Sequence, residues 1–424
     1  MKKTLLLILL FLLVTTGISY AGKESNFIPL YIKTVICGDS PGRDTIIGAI
    51  LYAVKNSTSL EPGADLEIFT DKITYPYPIT SGNSGIAKVP IMVRKNGEYF
   101  IKDSLNVVVQ NEYISFPDDN YLMISNDPED LSHPGILLEN EMKVGDSIRL
   151  LYHHRMQDKD KSQRLIVAVI NPSDLPAELL YTAGIGGPST DEVYIGHIAA
   201  YRYMQKVYNR EAMIVEVPPQ SANILISQRC RYREIISAIA KLSLLSGKNL
   251  IVKVIADDPD SASISQLINI DKTYKHGRLG AIFNQTITEV NKTYTIGSNL
   301  RSIRIGDQPY LIDPQSKMEL KGNYGMFYRI RLTIENPSDR EEAVKVFFAP
   351  GGGIARGTFI IHDRLIETSM VDPKNIYARR EQLVTVTVPG KSNRGVEIIT
   401  MPEPGSYYPV KIVLDDNDED LVLR

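Results

Sequence analysis

The chain of 424 residues has no tryptophan and only two cysteines, Cys37 and Cys230. So few thiols exclude a disulfide-stapled framework and a cysteine-rich metal knuckle. One bridge is the most they allow, and the usual burial of free cysteine favours two unpaired thiols instead. An excess of one charge sign is also missing. The chain carries 47 basic and 50 acidic residues; removing Lys2 and Lys3 with a leader leaves 45 basic against 50, a net −5. That balance gives no electrostatic reason to expect nucleic acid as a partner. Beyond the first 21 residues no apolar run is long enough to span a bilayer, so no transmembrane segment is expected in the mature chain. Catalytic signatures are lacking too: there is no G-x-S-x-G elbow, no credible S-x-x-K helix and no H-E-x-x-H. Gly351-Gly352-Gly353 is not followed by Lys and Ser at phosphate-loop spacing, and is read as a tight strand connection.

What is present is ordinary globular material, 43% apolar and 23% charged, with 23 tyrosines suited to half-exposed sheet positions. The length implies roughly two to four domains. Residues 1–21 read as a secretory signal peptide: basic Lys2 and Lys3, an apolar stretch from Leu5 to Val14, and a small-x-small site at Ser19-Tyr20-Ala21. Cleavage after Ala21 would deliver the chain to the periplasm, the cell surface or the medium.

One phrase occurs twice. Residues 164–174 read Arg-Leu-Ile-Val-Ala-Val-Ile-Asn-Pro-Ser-Asp, and residues 329–339 read Arg-Ile-Arg-Leu-Thr-Ile-Glu-Asn-Pro-Ser-Asp. Each is a strand-like run ended by a turn in which Asn accepts a backbone bond and Pro presets φ. Three further landmarks follow in the same order. They are the Gly-rich corners Ala183–Pro188 and Ala349–Gly353, the turns Val217–Ser221 and Val388–Ser392, and the β-rich runs Leu250–Ile255 and Pro409–Leu414. The expected organisation is a duplicated β-sandwich. In the later copy Ile330, Leu332 and Ile334 alternate with Arg331, Thr333 and Glu335, so one face is buried. In the earlier copy Leu165–Ile170 is apolar on both faces, and something should cover its outer side.

The expected cover is a helix at 191–208, N-capped by Ser189 or Thr190, with Asp191 and Glu192 in its first turn. Val193, Gly196, Ala200, Tyr203, Met204 and Val207 share one stripe. Arg233–Leu245 suits helix or strand; the repeat favours a hairpin turning at Ser246-Gly247-Lys248-Asn249. Before these copies, residues 28–114 read as another β module, with strands at Leu30–Cys37, Ile46–Val54, Ala64–Phe69, Ile86–Val93 and Leu105–Gln110.

The segment Thr80-Ser81-Gly82-Asn83-Ser84-Gly85-Ile86-Ala87, followed by Asn96-Gly97-Glu98-Tyr99, resembles the late strands of bacterial Ig-like (fibronectin-III or Big-like) modules of exported surface proteins. The resemblance implies a sandwich and an extracellular setting, and carries no catalytic residue across. The resulting expectation is an all-β chain of three Ig-like sandwiches in tandem. These are 28–114, 121–257 with its inserted helix, and 258–414 including linker strands; the second and third form a duplication, and an acidic tail follows at 415–424.

Candidate chemistry is thin. His153 and His154 are adjacent on a strand and leave opposite faces, so only one could join His197 and Asp191 at a metal. The spacing favours hydrogen-bonded, half-buried histidines, and neither a metal nor another cofactor is expected. His133, His276 and His362 have no acidic or Cys cluster around them. Asp416, Asp418 and Asp420 lack the Gly and closing Glu of a calcium loop. Tyr201, Tyr203 and Tyr208 offer stacking surface to a sugar, or packing for the helix; Tyr203 belongs to the buried stripe. The expected function is that of an exported, non-catalytic surface, adhesion or envelope-scaffold protein whose partner is a protein or glycan at the cell surface. The alternative is an extracellular carbohydrate-binding or metal-dependent carbohydrate-processing protein, with its site between the helix and the second sandwich.

Overall fold

Along Phe327–Asn336, Tyr328, Ile330, Leu332 and Ile334 are buried while Arg331 and Glu335 are exposed. Arg331 reaches Glu289 and Glu397 on the flanking strands. A one-residue slip would bury those charges, so the alternation fixes the register. The same rule runs through most of the chain. In the computed structural model 55% of the described residues are strand and 10% helix, in several sheets with no barrel among them, an all-β protein. The structure describes residues 27–61, 63–95, 97–126, 131, 134–257, 280–298, 302–375 and 379–416. The leader, Asn96, His133, the stretch 258–279 with its expected linker and His276, and the tail from 417 onward lie outside the described residues.

Residues 31–111 form β1 (Tyr31–Cys37), α1 (Arg43–Ser57), β2 (Ala64–Ile68), β3 (Ser84–Lys95) and β4 (Glu98–Asn111). Next come β5 (Tyr121–Ser125), β6 (Gly135–Lys143), β7 (Ser147–Arg155), β8 (Gln163–Asn171), β9 (Ala177–Ser189) and α2 (Glu192–Tyr208). They are followed by β10 (Ala212–Val217), β11 (Ser221–Cys230), β12 (Ile235–Ser246), β13 (Asn249–Asp257) and β14 (Ala281–Phe283). A ten-stranded sheet runs β14-β5-β7-β12-β9-β10-β1-β4-β3-β2, and a four-stranded sheet, β11-β8-β13-β6, packs on it.

Two expectations are corrected here. The segment 28–114 is not a separate sandwich, because β1 pairs with β10 and carries β4, β3 and β2 into the same sheet. Ile46–Val54 is helical: its buried residues Ile46, Ala49, Ile50, Ala53 and Val54 recur at three- and four-residue spacing. Helix α1 therefore joins α2, where only one helix was expected. It supplies no side-chain cap of its own at Gly42. Buried Glu211 does so instead, accepting from Gly42 N (3.0 Å) and Thr45 Oγ1 (2.7 Å) at the positive end of the helix dipole.

The remainder comprises β15 (Ile287–Thr295), β16 (Ser302–Ile305), β17 (Leu311–Ile312), β18 (Glu319–Leu320) and β19 (Phe327–Asn336). It continues with β20 (Glu342–Pro350), β21 (Thr358–Ile361), β22 (Arg364–Glu367), β23 (Glu381–Val388), β24 (Ser392–Thr400) and β25 (Val410–Asp415). A five-stranded sheet β15-β19-β24-β21-β22 faces a four-stranded sheet β16-β25-β20-β23 across one core, and β17-β18 is a small ribbon.

The two Asn-Pro-Ser-Asp turns are alike bond for bond. Asn171 Nδ2 donates to Leu175 O (2.8 Å) and Val217 O (2.9 Å); Asn336 Nδ2 donates to Arg340 O (2.8 Å) and Val388 O (2.9 Å). Each Oδ1 accepts from the Ser two residues on, at 3.0 Å from N in both turns. Strand pairing follows: β8 with β11 as β19 with β24, and β9 with β10 as β20 with β23. Two of the other landmarks do not correspond. Ala183–Pro188 is not a corner but lies inside β9. And β25 lies beside β20 where β12 lies beside β9, so the match of Leu250–Ile255 with Pro409–Leu414 fails. The connection at Ser246–Asn249 is no hairpin either: β12 belongs to the large sheet and β13 to the small one.

Helix α2 does not cover β8. It packs on β9 and β12 from the other side of the large sheet. The reason is Gly184 and Gly186 of β9. A Cβ on either would collide with the helix backbone at Ala199, Tyr203 or Ile195, so only glycine lets the two backbones meet. The outer apolar side chains Ile166, Ala168 and Ile255 form a small cluster of their own.

Candidate functional site

The residues singled out in the sequence gather around α2, and nearly all are engaged in joining it to its surroundings. Asp191, expected inside the first turn, is itself the N-cap in place of Ser189 or Thr190, accepting from Tyr194 N at 3.0 Å. His197 is fully buried between two carboxylates, with Nδ1 2.8 Å from Glu403 and Nε2 3.0 Å from Glu367. Burial opposes its protonation, but Glu403 and then Glu367 outweigh it and raise the imidazole above its ordinary value of 6.5. One residue earlier, a Cβ on Gly196 would overlap the Pro404 carbonyl, and one on Gly405 would overlap Glu192 O. Helix and loop therefore touch backbone to backbone, with the His197–Glu403 pair at their seam.

His153 and His154 do leave opposite faces of β7. His153 is buried 3.7 Å from Glu192, beyond hydrogen-bond reach, and His154 Nε2 lies 3.0 Å from Ser125 Oγ. Glu192 pairs with Arg155 and is held below the ordinary carboxylate range by His153 and Arg155. Tyr201 lies beside the His197 ring, at 6.2 Å between centroids, and Tyr208 donates its hydroxyl to Asp363 O. Among the described residues no three His, Cys, Asp or Glu side chains come together as a metal set. Cys37 and Cys230 are free and buried; burial pushes their thiols up to about 11 and about 12.

A second buried cluster ties the halves together. Arg149 and Lys241 both pair with Asp119, whose carboxyl they hold low against the opposing effect of burial. Arg149 also donates to Thr286 O and Gly325 O, each at 2.9 Å, and stacks on Phe327. These bonds satisfy a charge that would otherwise be stranded, so the cluster is structural.

An open feature lies elsewhere, on the side of the large sheet opposite α2. A cleft of 690 Å³ lies between α1 and β11. Its α1 wall presents Asp44, Gly48, Leu51, Tyr52 and Lys55, and its floor is Tyr181, Ala183 and Met213 of β9 and β10. The opposite wall is the run Ile224–Gln228 of β11, bulged at Leu225. Tyr52 closes one end by accepting from Asn223 Nδ2 at 2.6 Å. Where β10 stops, the free carbonyls of β9 are met by α2: Arg202 donates to Ile185 O (2.7 Å) and Lys206 Nζ to Ala183 O (2.9 Å). Lys206 thereby reaches into the cleft, where desolvation lowers its pKa against the pull of Asp44 and Glu211. A volume of this size falls within the range of small-molecule clefts. The sequence reading missed it, because the α1 wall, Ile46–Val54, was taken for a strand and the other wall, Ile224–Gln228, was assigned to no element. The helical spacing of 46, 49, 50, 53 and 54 was the available signal.

No family model and no curated protein matches the chain. Solved structures give only faint likenesses. Tripeptidyl peptidase 2 is 8% identical with a TM-score of 0.17, the match covering 83% of this chain and 29% of that one. The tandem CBM22-1–CBM22-2 domain of Paenibacillus barcinonensis Xyn10C is 7% identical, TM-score 0.13, covering 85% and 86%. A multicopper oxidase that functions in iron import is 10% identical, TM-score 0.12, covering 75% and 69%. At these scores none bears on fold or function.

Proposed function

We propose that this chain is an exported envelope-scaffold or adhesion protein that acts by presenting a binding surface. On this reading residues 121–257 and 281–415 are two copies of one Ig-like sandwich, supported by the matching Asn171 and Asn336 turns. The observation that carries the function is the cleft between α1 and β11, a concave surface lined by polar and apolar groups. His197 and Asp191, first suspected of chemistry, support it from the other side, being committed to the α2 seam and to the α2 cap.

The glycan alternative keeps a place in the same cleft, favoured by Tyr52, Tyr181, Asn56 and Gln228 along its walls. It has none between α2 and β9, where the backbones are in contact. Two measurements test the proposal. Expressed with its leader in a bacterial host, the chain should be recovered outside the cytoplasm beginning at Gly22; an uncleaved cytosolic product sinks the exported reading. Screened against envelope proteins and a glycan array, the mature chain should bind, and Leu51→Arg should abolish binding. Binding indifferent to Leu51→Arg would remove the cleft from the function.

A further inference from the structure

The two proposed copies differ in one place that bears on the cleft. In the later copy, β24 is flanked by β19 on one side and by β21 on the other, with Phe359, Ile360 and Ile361 opposite Thr400, Ile399 and Ile398. In the earlier copy, the equivalent strand β11 has β8 on one side and no strand on the other among the described residues. The chain between β20 and β23 is the β21–β22 hairpin, and the chain between β9 and β10 is α2. The helix has gone to the opposite face of the large sheet, so the slot filled by β21 in one copy is left open in the other. That open slot is the cleft.

We infer that the cleft takes an extended peptide segment of a partner protein, added as a strand to the free edge of β11 and carrying an acidic side chain to Lys206. This rests on the reading of the chain as a binding protein. The run Ile224–Gln228 spans about 13 Å at roughly 3.3 Å per residue, room for a strand like β21, which has four residues. A strand edge offers backbone N–H and C=O groups that an extended peptide satisfies, and side-chain pockets then select it; at the bulge Leu225 O already accepts from the Tyr181 hydroxyl at 3.4 Å, so a guest pairs with the edge on either side of that carbonyl. The floor residues Tyr181 and Met213 and the wall residue Leu51 suit apolar side chains on one face of the guest. Charge selects the rest. Lys206 donates only to Ala183 O, and neither it nor Lys55 meets a carboxylate within ion-pair distance among the described residues. Asp44 is the one acid lining the cleft against these two lysines. A guest bearing Asp or Glu completes the pairing; a cationic guest is opposed.

The probe is a display library of linear twelve-residue peptides selected on the immobilised mature chain, with binding of the recovered peptides read by titration. Recovered sequences should alternate apolar residues and carry an acidic one, and N-methylation of alternate amides should weaken them at least tenfold. Gly48 lines the cleft with open space where a Cβ would go. Gly48→Trp should therefore fill the cleft, weaken binding at least tenfold and leave the fold intact, with Gly48→Ala as the control that still binds. Lys206→Glu should also cost tenfold or more, while Lys206→Arg retains binding. A library that yields no binder overturns the inference, as do binders indifferent to Gly48→Trp or to N-methylation. If the array finds a glycan that Gly48→Trp displaces while no peptide binds, strand addition fails and the binding-protein reading stands.

Discussion

Replacing Asn171 and Asn336 in turn by alanine tests whether the two halves share one architecture. Both side chains are almost wholly buried, at 0% and 2% exposure, and each makes four hydrogen bonds. The loss is not four bonds' worth. The serine hydroxyl, whose single proton Asn Oδ1 and a carbonyl compete for, is then free to donate to Leu175 O or Arg340 O, each 2.9 Å away. What remains orphaned in each case is the serine N–H and the bond to Val217 O or Val388 O. With two groups left unsatisfied at roughly 1–3 kcal/mol each, each variant should lose about 2–6 kcal/mol, and the two losses should agree within about 1 kcal/mol. Urea unfolding of the mature chain, followed by circular dichroism, provides the assay, with the transition midpoint shifting and the slope held. Aspartate in place of either asparagine should cost at least as much, because a carboxylate cannot donate to the two carbonyls. One variant behaving as wild type while the other loses its full share would refute the equivalence.

Other expectations concern the seam, the glycines and the thiols. The folded pKa of His197 lies above its ordinary 6.5, so its contribution to stability is complete below that value and is lost as pH rises through the raised one. The gap in melting temperature between wild type and His197→Gln should therefore narrow from pH 6 to pH 9; a gap that widens contradicts the assignment. Gly184→Ala should destabilise by several kcal/mol, on the order of a severe core overpacking. Gly48→Ala, with open space around the new Cβ, should stabilise α1 by roughly 0.5–1 kcal/mol; thermal melts of the pair decide. Cys37 and Cys230, with thiols pushed up to about 11 and about 12, should resist a disulfide reagent at pH 7.5 until urea unfolds the chain. Fast native labelling of either would contradict their burial.

What the sequence made legible was local. The Asn-Pro-Ser-Asp turns carry their own hydrogen bonds, so four residues define them. The alternation in Phe327–Asn336 names its buried face, and Asp191 with Glu192 announces the start of α2. What stayed hidden depends on neighbours distant along the chain. Ala183–Pro188 reads as a corner because glycines usually turn the backbone; here they clear space for a helix that only the fold brings there. Ile46–Val54 is β-branched and aliphatic enough to read as a strand, and only the spacing of its buried side chains betrays the helix. Apolar runs such as Ile235–Ser246 are buried on both faces, so periodicity does not separate helix from strand. His197 could be seen to border the helix stripe, but Glu403 lies 206 positions away.

The asymmetry between the proposed copies ties the joint and the cleft to a single cause. A sandwich of this kind has one connection, from β9 to β10 or from β20 to β23, free to vary without breaking either sheet. Where that connection is rich in β-branched and aromatic residues, as at Thr358–Ile361, it extends the sheet at β24 and closes its edge. Where it offers small residues on a helical stripe, Gly196, Ala199 and Ala200, it lies flat on Gly184 and Gly186 and presents its far side to the other copy. The helix thus gains the Gly196–Pro404 contact and the His197–Glu403 pair, at the cost of leaving β11 uncovered. An uncovered edge invites uncontrolled association unless its surroundings restrict access. The strands β1 to β4 meet that need: added at β10, they carry α1 to a position facing the open edge, so the slot becomes a walled cleft rather than a bare strand. Joint, edge and wall are therefore coupled, and a change that returned the β9–β10 connection to a hairpin would close the cleft and dissolve the seam together.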